Sequence, residues 1–361
     1  MRLPFIAAVC AVISLGALPA SAQQSSDVPL VGNPGEKGGT DDTGPYAVVP
    51  NWYKPLQEGF VDRGSSVFAE SPNRIFFTTD RRFALGEQGA VTNQEARHTI
   101  QVLDGSGKLI EEWTQWESLL QMPHYVTESP YDPEKAVWVI SREGQQIFKF
   151  SNDGKKLLMT LGEKGVQASD QTHFGRPASM AFLPDGSFYV ADGYANHRVV
   201  KFDKTGKYLF EFGGVGSGPG QFAAMGEVHS IAIDTQRRVY VGDRGNRRVQ
   251  IFDENGKYLD EWDGILGPSD LHVTADGSVW VVSGVGNRLA KFDPKTGRLV
   301  TWFGTFGAGP GQFANPHFIS VDSAGNLYVA MWNLTKVGIE KYVPRPNADM
   351  SRLIGPNLVL K

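Results

Sequence analysis

The chain repeats itself. From Phe174 to Gly213 it reads "FGRPASMAFLPDGSFYVADGYANHRVVKFDKTGKYLFEFG". That stretch lies over "GEVHSIAIDTQRRVYVGDRGNRRVQIFDENGKYLDEW" (Gly226 to Trp262) and "LGPSDLHVTADGSVWVVSGVGNRLAKFDPKTGRLVTWFG" (Leu266 to Gly304). An aromatic late in each unit recurs as Phe150, Phe202, Phe252, Phe292 and Tyr342, at spacings of 52, 50, 40 and 50 residues, and Leu103 takes that place in a weaker first copy. Each unit reads as four short strands: an alternating strand ending at an Asp-Gly turn (Asp185-Gly186, Asp276-Gly277), a "FYVAD" strand, an "HRVVKFD" strand, and a "KYLFEFG" strand after a second glycine turn. No segment carries a 3.6-residue period, so four-stranded units of roughly 40 to 45 residues predict propeller blades and not a helical solenoid. Six copies predict an all-β, six-bladed β-propeller with four-stranded blades over residues 46–361. "GSGPGQF" and "GAGPGQF" stand between units as linkers, and the segment Tyr46 to Tyr53 is the candidate for a terminal strand closing the last blade.

The start of the chain has a different character. "MRLPFIAAVCAVISLGALPASAQQ" has Arg2 as its basic region, an apolar stretch from Phe5 to Leu18, and the small-residue site Ala20-Ser21-Ala22. Residues 1–22 therefore read as a cleaved export signal. The apolar stretch is shorter than the roughly 20 residues a membrane-spanning helix needs. The expected location is periplasmic or extracellular, with no membrane span. Residues 23–45, rich in Gly, Ser, Asp and Pro, read as a flexible leader.

The only cysteine, Cys10, falls inside the signal. The mature chain then has no thiol, which excludes disulfides, cysteine nucleophiles and thiolate metal sites; packing or a bound metal must supply the stability. A net charge of −4 and a pI near 6.0 argue against nucleic acid as a partner, because that partner asks for a basic footprint. The expected protein is a monomer.

In a propeller the first strand of each blade lines the central channel, so one repeat position becomes a ring at a common depth. That position reads, blade by blade, Ser65, His124, Ala178, His229, Ser269 and His317. Small residues alternate with histidine. Three imidazoles converging from alternate blades predict a three-histidine metal site with an open coordination position, the ligand set of catalytic zinc, although imidazole also suits other divalent transition metals. The remaining histidines, His98, His173, His197 and His272, lie off this register.

The loops joining second and third strands open on the same face as the histidines. They carry Asp80, Arg81, Arg82, Arg142, Tyr194, Arg244, Trp332 and Asn333. Asp192, Asn196 and Arg198, echoed by Asp243, Asn246 and Arg248, read as a repeated polar brace between blades. Tyr194 and Arg244 break that pattern. A tyrosine there suits proton transfer and an arginine suits a substrate carboxylate.

The repeat units resemble NHL-repeat propellers. Within them, "YVADGYANHR", "GDRGNRR", "EVHSIAID" and "NPHFISVD" are similar to segments of the peptidyl-α-hydroxyglycine α-amidating lyases. That resemblance implies zinc on His124, His229 and His317, a catalytic tyrosine at Tyr194, and arginines at Arg244 and at Arg81 or Arg82. It implies cleavage of a carbinolamide C–N bond in a small-molecule or peptide substrate with an anionic group, releasing glyoxylate and an amide. The family's calcium-binding aspartate after the last histidine is Phe318 here, and its methionine two residues earlier is Asn315, which argues against calcium. The alternatives are a non-catalytic NHL propeller that binds a protein, peptide or glycan, and a metal-dependent hydrolase.

Overall fold

The computed structural model describes residues 42–55, 60–85, 91–333 and 337–361. The export signal expected at 1–22, and the leader up to residue 41, lie outside the described residues. Twenty-four strands form six four-stranded antiparallel sheets, one per blade. Among the described residues the helical turns are short 3₁₀ segments at Thr114–Trp116 and Met350–Arg352. No helix among them is long and apolar enough to cross a membrane.

The inner strands are Phe60–Ser71, Pro123–Glu128, Ser179–Phe182, Val228–Ile233, Pro268–Val273 and Pro316–Val321. Their residues face neighbouring blades on both sides, so a strand such as Val228–Ile233 is buried throughout. The outer strand Tyr208–Gly213 alternates half-buried and exposed positions, the pattern of a sheet edge with one covered face. This change from continuous to alternating hydrophobicity is what the repeat encodes. Its recurring aromatics, Phe150, Phe202, Phe252, Phe292 and Tyr342, are all buried in the apolar clusters that fill the six gaps between neighbouring blades.

The polar brace expected between blades is present. Asp192 accepts from Arg198 Nε (2.9 Å), Asn196 Nδ2 (2.7 Å) and the Gly175 amide (2.7 Å). Asp243 repeats this with Arg248 Nε (2.9 Å), Asn246 Nδ2 (2.8 Å) and the Ala223 amide (3.1 Å). Such buried carboxylates tie a hairpin to the linker preceding it, and each donor satisfies an oxygen that burial would otherwise penalise.

Blade six is completed by the start of the chain. Tyr46–Val48 pairs antiparallel with Ile339–Pro344, Tyr46 opposite Pro344 and Val48 opposite Tyr342. The buried Tyr46 ring packs 5.8 Å from Phe303, and its hydroxyl accepts the Ile354 amide at 2.8 Å. At the far end of the channel the C-terminal tail crosses the opening: Asn357 bridges to Thr274, the Leu358 amide donates to Val273 O (2.8 Å), and the Leu360 amide donates to Tyr131 Oη (2.8 Å). Above the tail lies a cavity of about 560 Å³ lined by inner-strand residues such as Phe182, Ile233 and Leu271.

Removing the Tyr46 side chain leaves a cavity in the seam that closes the ring. Tyr46→Ala is expected to lose about 3–5 kcal/mol of unfolding free energy, the range for deleting a buried aromatic. Urea unfolding followed by tryptophan fluorescence reads it, and a loss under about 1 kcal/mol would show that closure does not depend on this strand.

Candidate metal centre

Five of the six register residues sit where the inner ladder breaks, and the sixth, Ala178, stands just before its strand begins. In blade two Pro123 pairs with Ser141 and Tyr125 with Ile140, so His124 is left as the extra residue. The same skip isolates His229, Ser269, His317 and Ser65. Two residues upstream, Met122, Arg176, Glu227, Gly267 and Asn315 all adopt left-handed backbone with φ between 57° and 59°. A bulge re-aims a side chain out of the regular alternation, and in five blades it turns one residue into the channel.

Each imidazole is oriented by the next blade. His124 Nδ1 donates to Ala178 O (2.8 Å), His229 Nδ1 to Ser269 O (2.6 Å) and His317 Nδ1 to Ser65 O (2.7 Å). The acceptors are the small members of the same ring. A carbonyl can only accept, so each Nδ1 carries the proton and each Nε2 keeps its lone pair. One ring nitrogen from each histidine lies within 4.8 Å of the others, and His229 Nε2 and His317 Nε2 stand 3.0 Å apart. Two lone pairs facing at that distance repel.

A proton is a poor remedy for that repulsion. All three rings are buried, and burial together with the Arg244 charge presses His317 down to about 3. Burial holds His124 and His229 well below the ordinary imidazole range as well, helped by neighbouring histidine and arginine charge. A cation between the three Nε2 atoms resolves the conflict: neutral imidazoles, oriented Nδ1–H groups and a close nitrogen cluster are what a transition-metal site requires.

Further along the inner strands, Phe318 takes the channel. Its ring centroid lies 4.6 Å from His317, 5.3 Å from His229 and 5.5 Å from His124, and it meets Tyr125 at 4.9 Å. Apolar carbon therefore fills the position next to the last histidine. Asp270, buried in the neighbouring blade, accepts the Ile319 amide (3.0 Å) and the Leu271 amide (2.9 Å), and burial pushes its carboxyl up to about 8.

On the loop side, Tyr194 Oη is 3.2 Å from His124 Nε2, and its ring lies 5.4 Å from His124 and 5.7 Å from His229. The residue before it must be glycine: a Cβ on Gly193 would stand 1.8 Å from Val228 O. Burial raises the Tyr194 phenol, and Arg244 and Arg142 oppose that rise. Arg244 ion-pairs with Glu227 at 3.6 Å. Arg142 lies over the Tyr194 ring at 4.4 Å.

The structure places the two arginine candidates of blade one elsewhere. Arg82 is buried against Asp62, its Nε 3.0 Å from Oδ1, in a brace like those of Arg198 and Arg248. Arg81 has 41% of its side chain exposed and lies 3.9 Å from Asp80. The blade-one arginine beside the histidines is Arg63, whose guanidinium lies 3.9 Å over the Trp332 ring, and Trp332 lies 5.4 Å from His317. Arg63 lies off the ring position that the repeat marks in sequence. It stands two residues before Ser65, the offset that also yields Glu227, the partner of Arg244.

The comparisons agree with this architecture. A family model described as "6-bladed beta-propeller" matches residues 166–263. A probable peptidyl-alpha-hydroxyglycine alpha-amidating lyase of Caenorhabditis elegans is 32% identical over 161 residues, 44% of this chain and 43% of that protein. Peptidyl-alpha-hydroxyglycine alpha-amidating lyase 1 of Drosophila melanogaster is 30% identical over 315 residues, 79% of this chain and 56% of that protein. The chain thus spans about half the length of these two relatives. NHL repeat-containing protein 3 of Homo sapiens is 30% identical over 249 residues, 63% of this chain and 69% of that protein.

Asp270 yields a pH test of the channel. Its folded carboxyl titrates near 8 and an unfolded one near 3.9, so between those values the unfolded chain releases a proton that the folded one keeps, and the native state loses stability as pH rises. Asp270→Asn keeps an acceptor for the two amides and does not titrate. Its stability relative to the parent should rise by more than about 1 kcal/mol from pH 4 to pH 8, read by denaturant unfolding, whereas a pH-independent difference contradicts the buried-acid assignment.

Proposed function

The chain belongs to the NHL-repeat family of six-bladed β-propellers, and on that premise we propose that it is an exported, metal-dependent carbon–nitrogen lyase that cleaves peptidyl-α-hydroxyglycine or a close analogue. The observation that carries the reading is the pair of facing Nε2 lone pairs of His229 and His317 at 3.0 Å, with His124 completing the cluster and Tyr194 beside it. Similarity to the amidating lyases supplies the reaction class, and the signal-like residues 1–22 support export.

A divalent metal, zinc by the nitrogen-only ligand set, would be held by Nε2 of His124, His229 and His317 and would supply Lewis acidity toward the substrate hydroxyl. The protein's own groups do the rest. The reaction breaks the hydroxyl O–H and the C–N bond of R–CO–NH–CH(OH)–COO⁻ and forms the aldehyde C=O of glyoxylate and an N–H of the primary amide. One proton must therefore travel from the hydroxyl to the leaving nitrogen. Tyr194 Oη stands next to the metal-facing nitrogen of His124, where it takes the hydroxyl proton and returns one to the nitrogen. The guanidinium charges of Arg244 and Arg142 favour the phenolate this requires. Arg244 also offers charge to the substrate carboxylate. Phe318 and Tyr125 close the channel beyond the rings, so substrate enters from the loop face.

Metal analysis of the purified mature chain should find about one equivalent of zinc or a related ion, lost in His229→Ala, and an α-hydroxyglycine peptide should release glyoxylate. Tyr194→Phe should retain the metal and lose roughly 10²- to 10⁴-fold in kcat. A metal-loaded protein inert on that substrate would remove the lyase assignment, and a chain that takes up no metal at neutral pH would remove the site.

A further inference from the structure

The channel does not end at the histidines. Phe318 meets Tyr125 at 4.9 Å beside the three rings, and beyond that pair lies the cavity of about 560 Å³ that the C-terminal tail crosses. Its size is that of a pocket for a small molecule. All six inner strands contribute to the wall, and most of what they contribute is hydrocarbon: Phe68, Tyr125, Phe182, Ile233, Leu271 and Val321.

One ionisable group breaks that wall. Glu128 ends the inner strand of blade two, lines the cavity and is 8% exposed. Its Oε1 accepts Asn152 Nδ2 at 3.1 Å, and among the described residues no donor meets Oε2. Two other deeply buried carboxylates are served differently: Asp192 and Asp243 each receive a guanidinium, an asparagine amide and a backbone amide. The charged neighbours of Glu128 on the cavity wall are committed as well. Glu70 pairs with Arg74 (2.8 Å) and Lys135 (3.2 Å), and Asp132 with Lys149 (2.8 Å). Of the four charged residues on the wall, Glu128 alone has no counterion among the described residues. Burial first, and Glu70 after it, push its carboxyl up to about 8, a shift that a cation seated beside it would reverse. An acid kept for packing alone would have its donors or be replaced by carbon.

We propose that the cavity beyond the Phe318–Tyr125 plug is a second ligand site, separate from the metal centre, that takes an aralkyl primary amine, with its ammonium on the Glu128 carboxylate and its ring against the aromatic wall. The sign of the free group decides the ligand. An apolar acid of the same shape would set a like charge against Glu128, and Lys135, the one base on the wall, is held by Glu70 and 59% exposed. The site does not rest on the lyase reading.

The test is calorimetric titration of the zinc-loaded protein at neutral pH with phenylbutylamine, with phenylbutanol and phenylbutyrate as the uncharged and anionic controls. The parent should bind the amine at least tenfold more tightly than either control. Glu128→Gln, which keeps an acceptor for Asn152, should lose at least tenfold toward the amine and stay within twofold of the parent toward the alcohol. Ala181 lines the cavity, so Ala181→Leu should weaken amine and alcohol alike; if that variant melts well below the parent, Ala181→Val takes its place. Protein stripped of metal by a chelator should bind the amine within twofold of the loaded form. A parent that binds no amine, amine affinity that survives Glu128→Gln, or phenylbutyrate binding as tight as the amine overturns the site. Amine binding that vanishes with the metal overturns it too, because it places the amine on the histidines. None of these readings uses glyoxylate release, so the site and the lyase stand or fall separately.

Discussion

Everything at the centre of this propeller depends on three hydrogen bonds that cross from one blade to the next. Each channel imidazole gives its Nδ1 proton to the carbonyl of the small residue at the same level in the following blade. The acceptors fix the tautomers, and the tautomers aim three lone pairs inward, where they could hold a metal ion. The bulge in each histidine-bearing inner strand makes this possible, because a residue outside the regular ladder can turn its side chain to the channel. Histidine and small residue thus form a single repeating device, in which one member supplies the ligand and the next supplies its orientation.

The surrounding charge follows a related logic. Three guanidinium groups around three neutral histidines would repel any metal if they stood alone, and each is compensated by an acid from its own or an adjacent segment: Asp80, Glu143 and Glu227. The acids reduce net charge while leaving directional donors. Burial first, and the arginine charge after it, hold His229 and His317 below the ordinary imidazole range, so both rings stay neutral.

Most of the fold was legible because propeller blades write themselves as period: strand-buried runs, Asp-Gly turns and a buried aromatic at nearly constant spacing. The alternating ring was legible for the same reason, Ser65 included, and so was the closing strand at Tyr46. Arg63 was not, because the inner strand of blade one runs twelve residues and lacks the left-handed turn that marks its equivalents, so it looked like ordinary strand. Arg81 and Arg82 drew notice by lying where a loop was expected, whereas that region is a long hairpin that faces Arg82 inward to Asp62. The role of Phe318 as a packed plug against three imidazoles is a property of three-dimensional convergence, which no single strand displays.

Ring closure also sets an order in time. Blade six takes its outermost strand from Tyr46–Val48 and its inner strand, with His317, from near the other end; His317 is then oriented by Ser65 of blade one. Segments some 250 residues apart meet at this seam, so the third imidazole cannot be aimed until synthesis has passed Pro316–Val321, some tens of seconds after blade one at about 5–20 residues per second. A fragment that stops short of Pro316 has neither a closed ring nor a three-nitrogen cluster. The geometry of the three-histidine cluster is therefore coupled to closure of the ring between Tyr46–Val48 and Ile339–Pro344.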